Sequence, residues 1–121
     1  MPSSRYVIAL DQDTVFTHCS VFDHDGNLMA TTERDHRQIL PAPGYVEHDP
    51  MEIWKNARLT LAEVLAVMEI TSNDVAALGI TNQRETAVLW DKTTGLPICN
   101  AIVWQDTRCL LYTSDAADER S

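Results

Sequence analysis

Residues 49–68 carry the clearest helix signal in the chain, and this signal constrains the fold more than any other feature. Asp49 can cap a helix, Pro50 fits its first position, and Glu52 follows the cap by three residues, as in a capping box. Apolar side chains then recur at helical spacing: Trp54, Ala57, Leu61, Val64, Leu65 and Met68. We predict a helix of about five turns that packs this stripe on a sheet and frays near residues 70–73.

Short apolar runs on both sides of this helix predict strands. Residues 6–10 form a run that ends at Asp11, which favours a strand buried on both faces with a carboxylate at its end. Further strands are expected at 19–22, 28–32, 75–80 and 86–90, with turns at Asp25-Gly26 and at residues 91–95. Residues 35–48 predict a long connection, and an apolar segment covers 101–104. The order β-β-β-α-β alone indicates an α/β or α+β chain.

Composition narrows the classes of function. A chain of 121 residues fits one domain at most, and its formal net charge of -9 argues against nucleic-acid or anionic-membrane partners. No apolar stretch reaches membrane length and no signal-peptide pattern is present, so a cytoplasmic location is expected. The three cysteines lack metal-ligand spacing and predict free thiols. His36 and His48 also lack ligand spacing, and we expect both in ordinary surface or loop positions.

Four consecutive polar residues, 82–85 (NQRE), lie between the predicted strands 75–80 and 86–90. Loops on a rigid sheet commonly carry binding groups. Arg84 offers a fixed fork of donors beside the Glu85 carboxylate, a combination that can hold neighbouring hydroxyls of a small polyol. The alternative is an exposed turn in which Arg84 and Glu85 pair with each other or with water.

Three blocks resemble the amino-terminal part of the glycerol kinases: residues 44–54 (GYVEHDPMEIW), 79–86 (GITNQRET) and 100–108 (NAIVWQDTR). These are carbohydrate kinases with the actin-like, ribonuclease H-like fold. The resemblance implies that residues 1–108 begin such an ATPase domain, in the order β-β-β-α-β, and leave it incomplete. Residues 109–121 depart abruptly from the family and look like a translated sequencing adaptor, so we treat them as a non-native tail.

The resemblance also implies roles for single residues. Asp11 corresponds to an acid near Mg²⁺ and the phosphates, and Thr14 to a residue that contacts nucleotide phosphate. Arg84 and Glu85 correspond to residues that hold glycerol hydroxyls, and Trp104 to an aromatic that packs on the glycerol carbons. Taken alone, Trp104 would also suit an ordinary core position. The catalytic base and the adenosine pocket lie further along such enzymes, so this fragment by itself is expected to be inactive.

The segment after Asp11 departs from the family. The family loop reads Asp-Gln-Gly-Thr-Thr-Ser-Ser-Arg, whereas here Asp13 replaces the glycine, Val15 and Phe16 replace hydroxyl residues, and His18 replaces the arginine. A carboxylate about 4 Å from a phosphate charge is repelled by roughly 4 kcal/mol at a surface-like dielectric. Asp13 can adopt the left-handed conformation available to glycine. We therefore expect an intact hairpin with weakened ATP use.

The resemblance implies that the whole protein phosphorylates glycerol to sn-glycerol 3-phosphate with ATP and Mg²⁺. Two alternatives remain: a kinase for a related sugar or polyol, and a catalytically silent polyol-binding homologue. The expected partner is glycerol or a similar small polyol, and a homo-oligomer is possible for the full-length protein.

Overall fold

The computed structural model describes residues 5–108 as an α/β chain, as predicted. Its elements are β1 (Tyr6–Gln12), β2 (Phe16–Phe22), β3 (Leu28–Asp35), β4 (Glu47–His48), α1 (Pro50–Met68), a 3₁₀ turn (Ser72–Asp74), β5 (Val75–Thr81) and β6 (Ala101–Ile102). The prediction for residues 109–121 falls outside the described residues. The chain divides into two units, which comprise residues 5–36 with 51–83 and residues 37–50 with 84–108 of the described part.

The first unit contains a four-stranded sheet in the order β3-β2-β1-β5. β1, β2 and β3 form the predicted antiparallel meander, and β5 returns parallel to β1. Gly26 takes a φ of +85°, which the β2–β3 turn requires and which glycine adopts without strain. β1, β2 and β3 are longer than the apolar runs predicted, because the backbone ladder continues through polar cross-strand pairs such as Asp11 and His18.

Helix α1 covers one face of this sheet. The core comprises Ile8, Leu10, Cys19, Val21 and Val64, and the predicted helix residues Ala57, Leu61, Leu65 and Met68 pack against it. Trp54, which was also predicted to belong to this apolar stripe, does not pack in the core, since it is 58% exposed. The prediction that β1 is buried on both faces is wrong for the described residues, since Val7 is 42% exposed while Ile8 is buried.

Two polar residues of α1, Asn56 and Thr60, are buried, although the sequence analysis did not predict their burial. Asn56 Nδ2 donates to the Asp35 carbonyl at 3.1 Å, and the Thr60 hydroxyl donates to the Asn56 carbonyl at 2.9 Å. The Thr60 carbonyl accepts in turn from the Thr32 hydroxyl at 2.7 Å. These bonds offset the cost of removing the polar groups from water and tie α1 to β3.

The second unit pairs β4 with β6 in antiparallel fashion. The strand predicted at 86–90 is wrong, since only isolated bridges form there, Ala87 to Ile102 and Trp90 to Pro97. The segment pairs with different partners at its two ends, and proline lacks the N–H that would extend the ladder. The predicted turn at 91–95 is confirmed by the Asp91 carboxylate, which accepts from the Thr93 amide at 2.7 Å, and by a φ of +76° at Gly95.

Two of the three cysteines lie in the described part, and both are free thiols, as predicted. Cys19 is fully buried, and burial raises the pKa of its thiol to about 11. Cys19 is therefore a core residue rather than a nucleophile. Within residues 5–108, no helix is long and apolar enough to cross a membrane.

Candidate functional site

Asp11 lies within β1 rather than at its end, because the strand continues to Gln12. Its Oδ2 is 3.7 Å from Nδ1 of His18, the cross-strand neighbour on β2. The Asp11 side chain is 36% exposed, so one carboxylate is accessible at this position. Within residues 5–108 there is no cluster of three or more His, Cys, Asp or Glu side chains able to hold a metal. Asp11 thus offers one accessible carboxylate with His18 as its neighbour.

Asp13 and Thr14 form the tip of the β1–β2 hairpin. The Asp13 amide donates to the Phe16 carbonyl at 2.8 Å, which closes the turn. Asp13 does not adopt the left-handed conformation that was anticipated for it. Among the described non-glycine residues, the positive φ angles are those of Glu69 and Glu85. Asp13 Oδ1 accepts from the Thr14 amide at 2.8 Å. A carboxylate therefore already holds the backbone N–H of Thr14, the residue that the family resemblance assigns to phosphate.

His36 anchors this hairpin to the helix. It lies in the loop after β3, as one of the two predicted positions has it, but it is only 4% exposed, so a surface position is wrong. Its amide donates to the Val15 carbonyl at 2.8 Å, and its Nε2 is 2.9 Å from the Thr17 hydroxyl. Its Nδ1 is 3.1 Å from Asn56 Nδ2 of α1.

Burial lowers the pKa of the His36 imidazole, and this effect outweighs three carboxylates that raise it, those of Glu52, Asp35 and Asp13. A neutral ring can accept the Asn56 N–H at Nδ1, whereas a protonated ring cannot. The carbonyl of Asp13 also accepts from Gln83 Nε2 at 3.1 Å, which fastens the hairpin tip to the residues after β5.

In the second unit, Arg84 and Glu85 form an exposed turn. Glu85 has a φ of +61°, in the left-handed region that non-glycine residues rarely adopt. Within residues 5–108, Arg84 and Glu85 do not pair with each other, and the alternative of an exposed turn solvated by water fits the same geometry. Strained backbone that presents unpaired charges is typical of functional positions.

Trp104 is brought next to this turn. Ala87 and Ile102 exchange two backbone hydrogen bonds, of 2.9 and 3.0 Å, and the Trp104 amide donates to the Thr86 hydroxyl at 3.3 Å. Trp104 is 53% exposed, which excludes the core position within this unit. The three residues assigned to glycerol thus share one unit, in which the Ala87–Ile102 pairing and the bond from Trp104 to Thr86 join the segments that carry them.

Sequence reasoning gave no role to Asp106 and Arg108, yet they form a conspicuous ion pair in this unit. Arg108 Nε and Nη2 donate to the Asp106 carboxylate at 2.6–3.0 Å, and Nη2 also donates to Glu47 at 2.8 Å. The guanidinium lies 4.1 Å from the centre of the Tyr45 ring. The Arg108 hydrogen bonds hold the pKa of the Asp106 carboxyl well below its usual range. The signal available in the sequence was their place in the block 100–108.

His48 is also buried, at 0% exposure, with Nε2 2.9 Å from Gln38 Oε1. The expectation of a surface or loop position is wrong for His48, because β4 places it in the interior of the second unit. Asp11 and Thr14 belong to the first unit, whereas Arg84, Glu85 and Trp104 belong to the second.

Comparisons with known proteins identify the group to which the chain is similar. Residues 6–117 match the profile of the "FGGY family of carbohydrate kinases, N-terminal domain". The chain is 57% identical over 106 residues to a glycerol kinase of Clavibacter michiganensis, covering 88% of this chain and 21% of that relative. It is 59% identical to a glycerol kinase of Shewanella piezotolerans, covering 88% of this chain and 22% of the relative.

Among solved structures, the crystal structure of Plasmodium falciparum glycerol kinase with ADP superposes with a TM-score of 0.86. Its sequence is 37% identical, and the match covers 96% of this chain and 23% of that one. The chain therefore spans between a fifth and a quarter of the length of the relatives it matches.

Proposed function

Because this chain belongs to the FGGY family of carbohydrate kinases, as its amino-terminal domain, we propose that the whole protein transfers phosphate from ATP to glycerol, giving sn-glycerol 3-phosphate. The relatives named glycerol kinase, at 57% and 59% identity, support glycerol over other acceptors. A cytoplasmic location belongs to the same proposal. The boundary at residue 108 remains a prediction, and the family match continues to residue 117.

One observation carries the proposal: the exposed Arg84-Glu85 turn is tied to Trp104 through Thr86. In the proposed site, Arg84 donates to hydroxyl oxygens of glycerol and the Glu85 carboxylate accepts from hydroxyl hydrogens. The exposed indole of Trp104 covers the carbon chain. Together these groups orient one terminal hydroxyl for attack on the γ-phosphorus of ATP.

The residues proposed to bind metal and phosphate, Asp11 and Thr14, lie in the first unit. Asp11 would hold Mg²⁺ through its accessible carboxylate, and the Thr14 hydroxyl and amide would contact phosphate oxygens. Bound Mg²⁺ would neutralise phosphate charge. Attack by the glycerol hydroxyl forms the new P–O bond as the bond to ADP breaks, and the hydroxyl proton passes to a base expected beyond this domain. The 121-residue chain alone is therefore expected to show no turnover.

The test compares Arg84→Ala with Arg58→Ala in a full-length kinase that carries this amino-terminal sequence. Arg58 is a matched control, because it is an exposed arginine on α1, 5.6 Å from the Trp54 ring centre. Hydrogen bonds to a charged group contribute about 1.5–3 kcal/mol, so Arg84→Ala should raise the glycerol KM by roughly 10- to 150-fold. Absence of glycerol phosphorylation in the parent enzyme, or equal KM values for the two variants, would refute the proposal.

A second candidate function is favoured by the Asp13 carboxylate, which holds the Thr14 amide at 2.8 Å. In that case the protein binds a polyol but uses ATP poorly. Isothermal titration calorimetry on the full-length protein separates the candidates. Glycerol binding without nucleotide binding supports the silent homologue, and a response to another polyol in place of glycerol supports a sister kinase.

A further inference from the structure

Trp104 projects from a short turn whose two ends are buried. Val103 is 1% exposed and Asp106 is 5% exposed, and the Asp106 amide donates to the Val103 carbonyl at 2.8 Å. The Val103 amide donates to the Val46 carbonyl at 3.0 Å. The backbone on both sides of Trp104 is thus fixed, while the indole itself is exposed.

The Asp106 carboxylate does more than close this turn. Its side chain is fully buried and accepts from the Val46 amide at 2.7 Å and from the Arg108 amide at 2.8 Å. The Arg108 guanidinium neutralises its charge through bonds to both oxygens. A buried carboxylate with this many donors has one stable orientation, because any rotation leaves charged or polar groups unpaired.

Arg108 connects the same turn to β4. Its Nη2 donates to Glu47 Oε2 at 2.8 Å, and the other carboxylate oxygen of Glu47 accepts from Asn100 Nδ2 at 3.1 Å. Glu47 is also the cross-strand partner of Ile102, whose backbone pairs with Ala87 next to the Arg84-Glu85 turn. The ion pair therefore braces both segments that carry the proposed glycerol contacts.

We propose that Asp106 and Arg108 are positioning residues that hold Trp104 in register with the Arg84-Glu85 turn, and that they set affinity for the polyol. This inference rests on the proposed function for the role of Trp104. Asp106 and Arg108 act through Trp104 and the braced backbone. Disturbing them should weaken polyol binding selectively.

The kinetic test uses Asp106→Asn and Arg108→Lys in the full-length kinase. Asn keeps the size of the side chain but loses its charge, and Lys keeps the charge but loses the two-pronged donor geometry. We expect the glycerol KM to rise about tenfold, within the roughly hundredfold loss that misplacement of a positioning group can cause. The ATP KM should stay within about twofold of the parent value. Glu63→Gln is the control, because it breaks the exposed ion pair with Arg34 in the first unit.

An unchanged glycerol KM in both variants, or equal rises in the two KM values, would overturn the inference. A spectroscopic test does not depend on kinase activity. In the 121-residue chain with Trp54→Phe and Trp90→Phe, Trp104 is the remaining tryptophan. Asp106→Asn should lower its fluorescence anisotropy and Glu63→Gln should not; Arg108→Lys replaces Asp106→Asn if the latter does not fold.

The two tests separate the possible failures. If the parent enzyme does not phosphorylate glycerol but the anisotropy of Trp104 falls, the proposed function fails and the positioning role stands. If the anisotropy is unchanged, the positioning role fails whatever the enzyme does.

Discussion

Replacing Asp13 with glycine tests whether the hairpin tip limits nucleotide use. The Asp13 carboxylate lies 2.8 Å from the Thr14 nitrogen, which is hydrogen-bonding distance for a phosphate oxygen as well. Phosphate must therefore displace this carboxylate and then bear its charge nearby. At about 4 Å the repulsion is roughly 4 kcal/mol for an effective dielectric of about 20 and roughly 1 kcal/mol in bulk water.

Asp13 is exposed, so the true repulsion lies between these limits. We expect Asp13→Gly to lower the ATP KM by about 10- to 100-fold, since each 1.4 kcal/mol corresponds to about a factor of ten. The glycerol KM should not change. Glycine at this position costs about 0.5–1 kcal/mol of stability through backbone entropy, which is too little to mask the effect.

The assay is steady-state kinetics of the full-length kinase at saturating glycerol, with Asp25→Gly as control. Asp25 is also an exposed aspartate in a hairpin of the same sheet. Replacing it with glycine makes the same chemical change away from the phosphate loop. Raising the ionic strength to about 1 M shortens the Debye length to about 3 Å and should shrink the difference between parent and variant. Equal ATP KM values for the parent and Asp13→Gly would refute the electrostatic reasoning.

Two further predictions concern stability. The folded-state pKa of His36 is lowered by burial, so its contribution to stability is complete above the unfolded value of about 6.5 and is lost as pH falls through the lower folded value. Thermal melts between pH 7 and 5 should show a falling Tm that His36→Gln flattens; a parallel decline in both proteins would contradict this. Gly44 has a φ of +82°, and an added Cβ would clash with the Thr107 hydroxyl. Gly44→Ala should therefore destabilise the chain by at least about 1–2 kcal/mol in urea unfolding, and Thr107→Ala should recover only part of the loss, because the backbone strain remains. Full recovery would show that the clash alone matters.

Most elements built on apolar runs could be predicted from the sequence, with the exception of the strand at 86–90, whereas the buried polar positions could not. The stripe of α1 from Ala57 to Met68 follows from helical spacing alone. His36 could not be placed, because its partner Asn56 is twenty residues away and only the folded sheet brings them together. Asp106 is a stronger case, since the Val46 amide that it accepts from is sixty residues away.

The candidate site also has features that the sequence predicts and features that appear only in the folded chain. Arg84, Glu85 and Trp104 were identified through the family resemblance, but neither the left-handed backbone of Glu85 nor the bond from Trp104 to Thr86 leaves a local signal. Both depend on the pairing of Ala87 with Ile102. The substitution of Asp13 for glycine is visible in the sequence, whereas the hydrogen bond from the Thr14 amide to the Asp13 carboxylate is visible only in the folded structure.

The two borders of the main sheet differ in a way that affects how the chain behaves at high concentration. β3 ends in three charged residues, Glu33, Arg34 and Asp35, which discourage another strand from adding to it. β5 forms the opposite border, is largely exposed, and contains no charged residue or proline. Its outer backbone groups offer a template to any extended peptide, including a second copy of the same strand. Concentrated preparations of the 121-residue chain are therefore expected to aggregate through β5, so the anisotropy of Trp104 is measured on dilute protein, and Ala77→Lys is the simplest way to prevent the association.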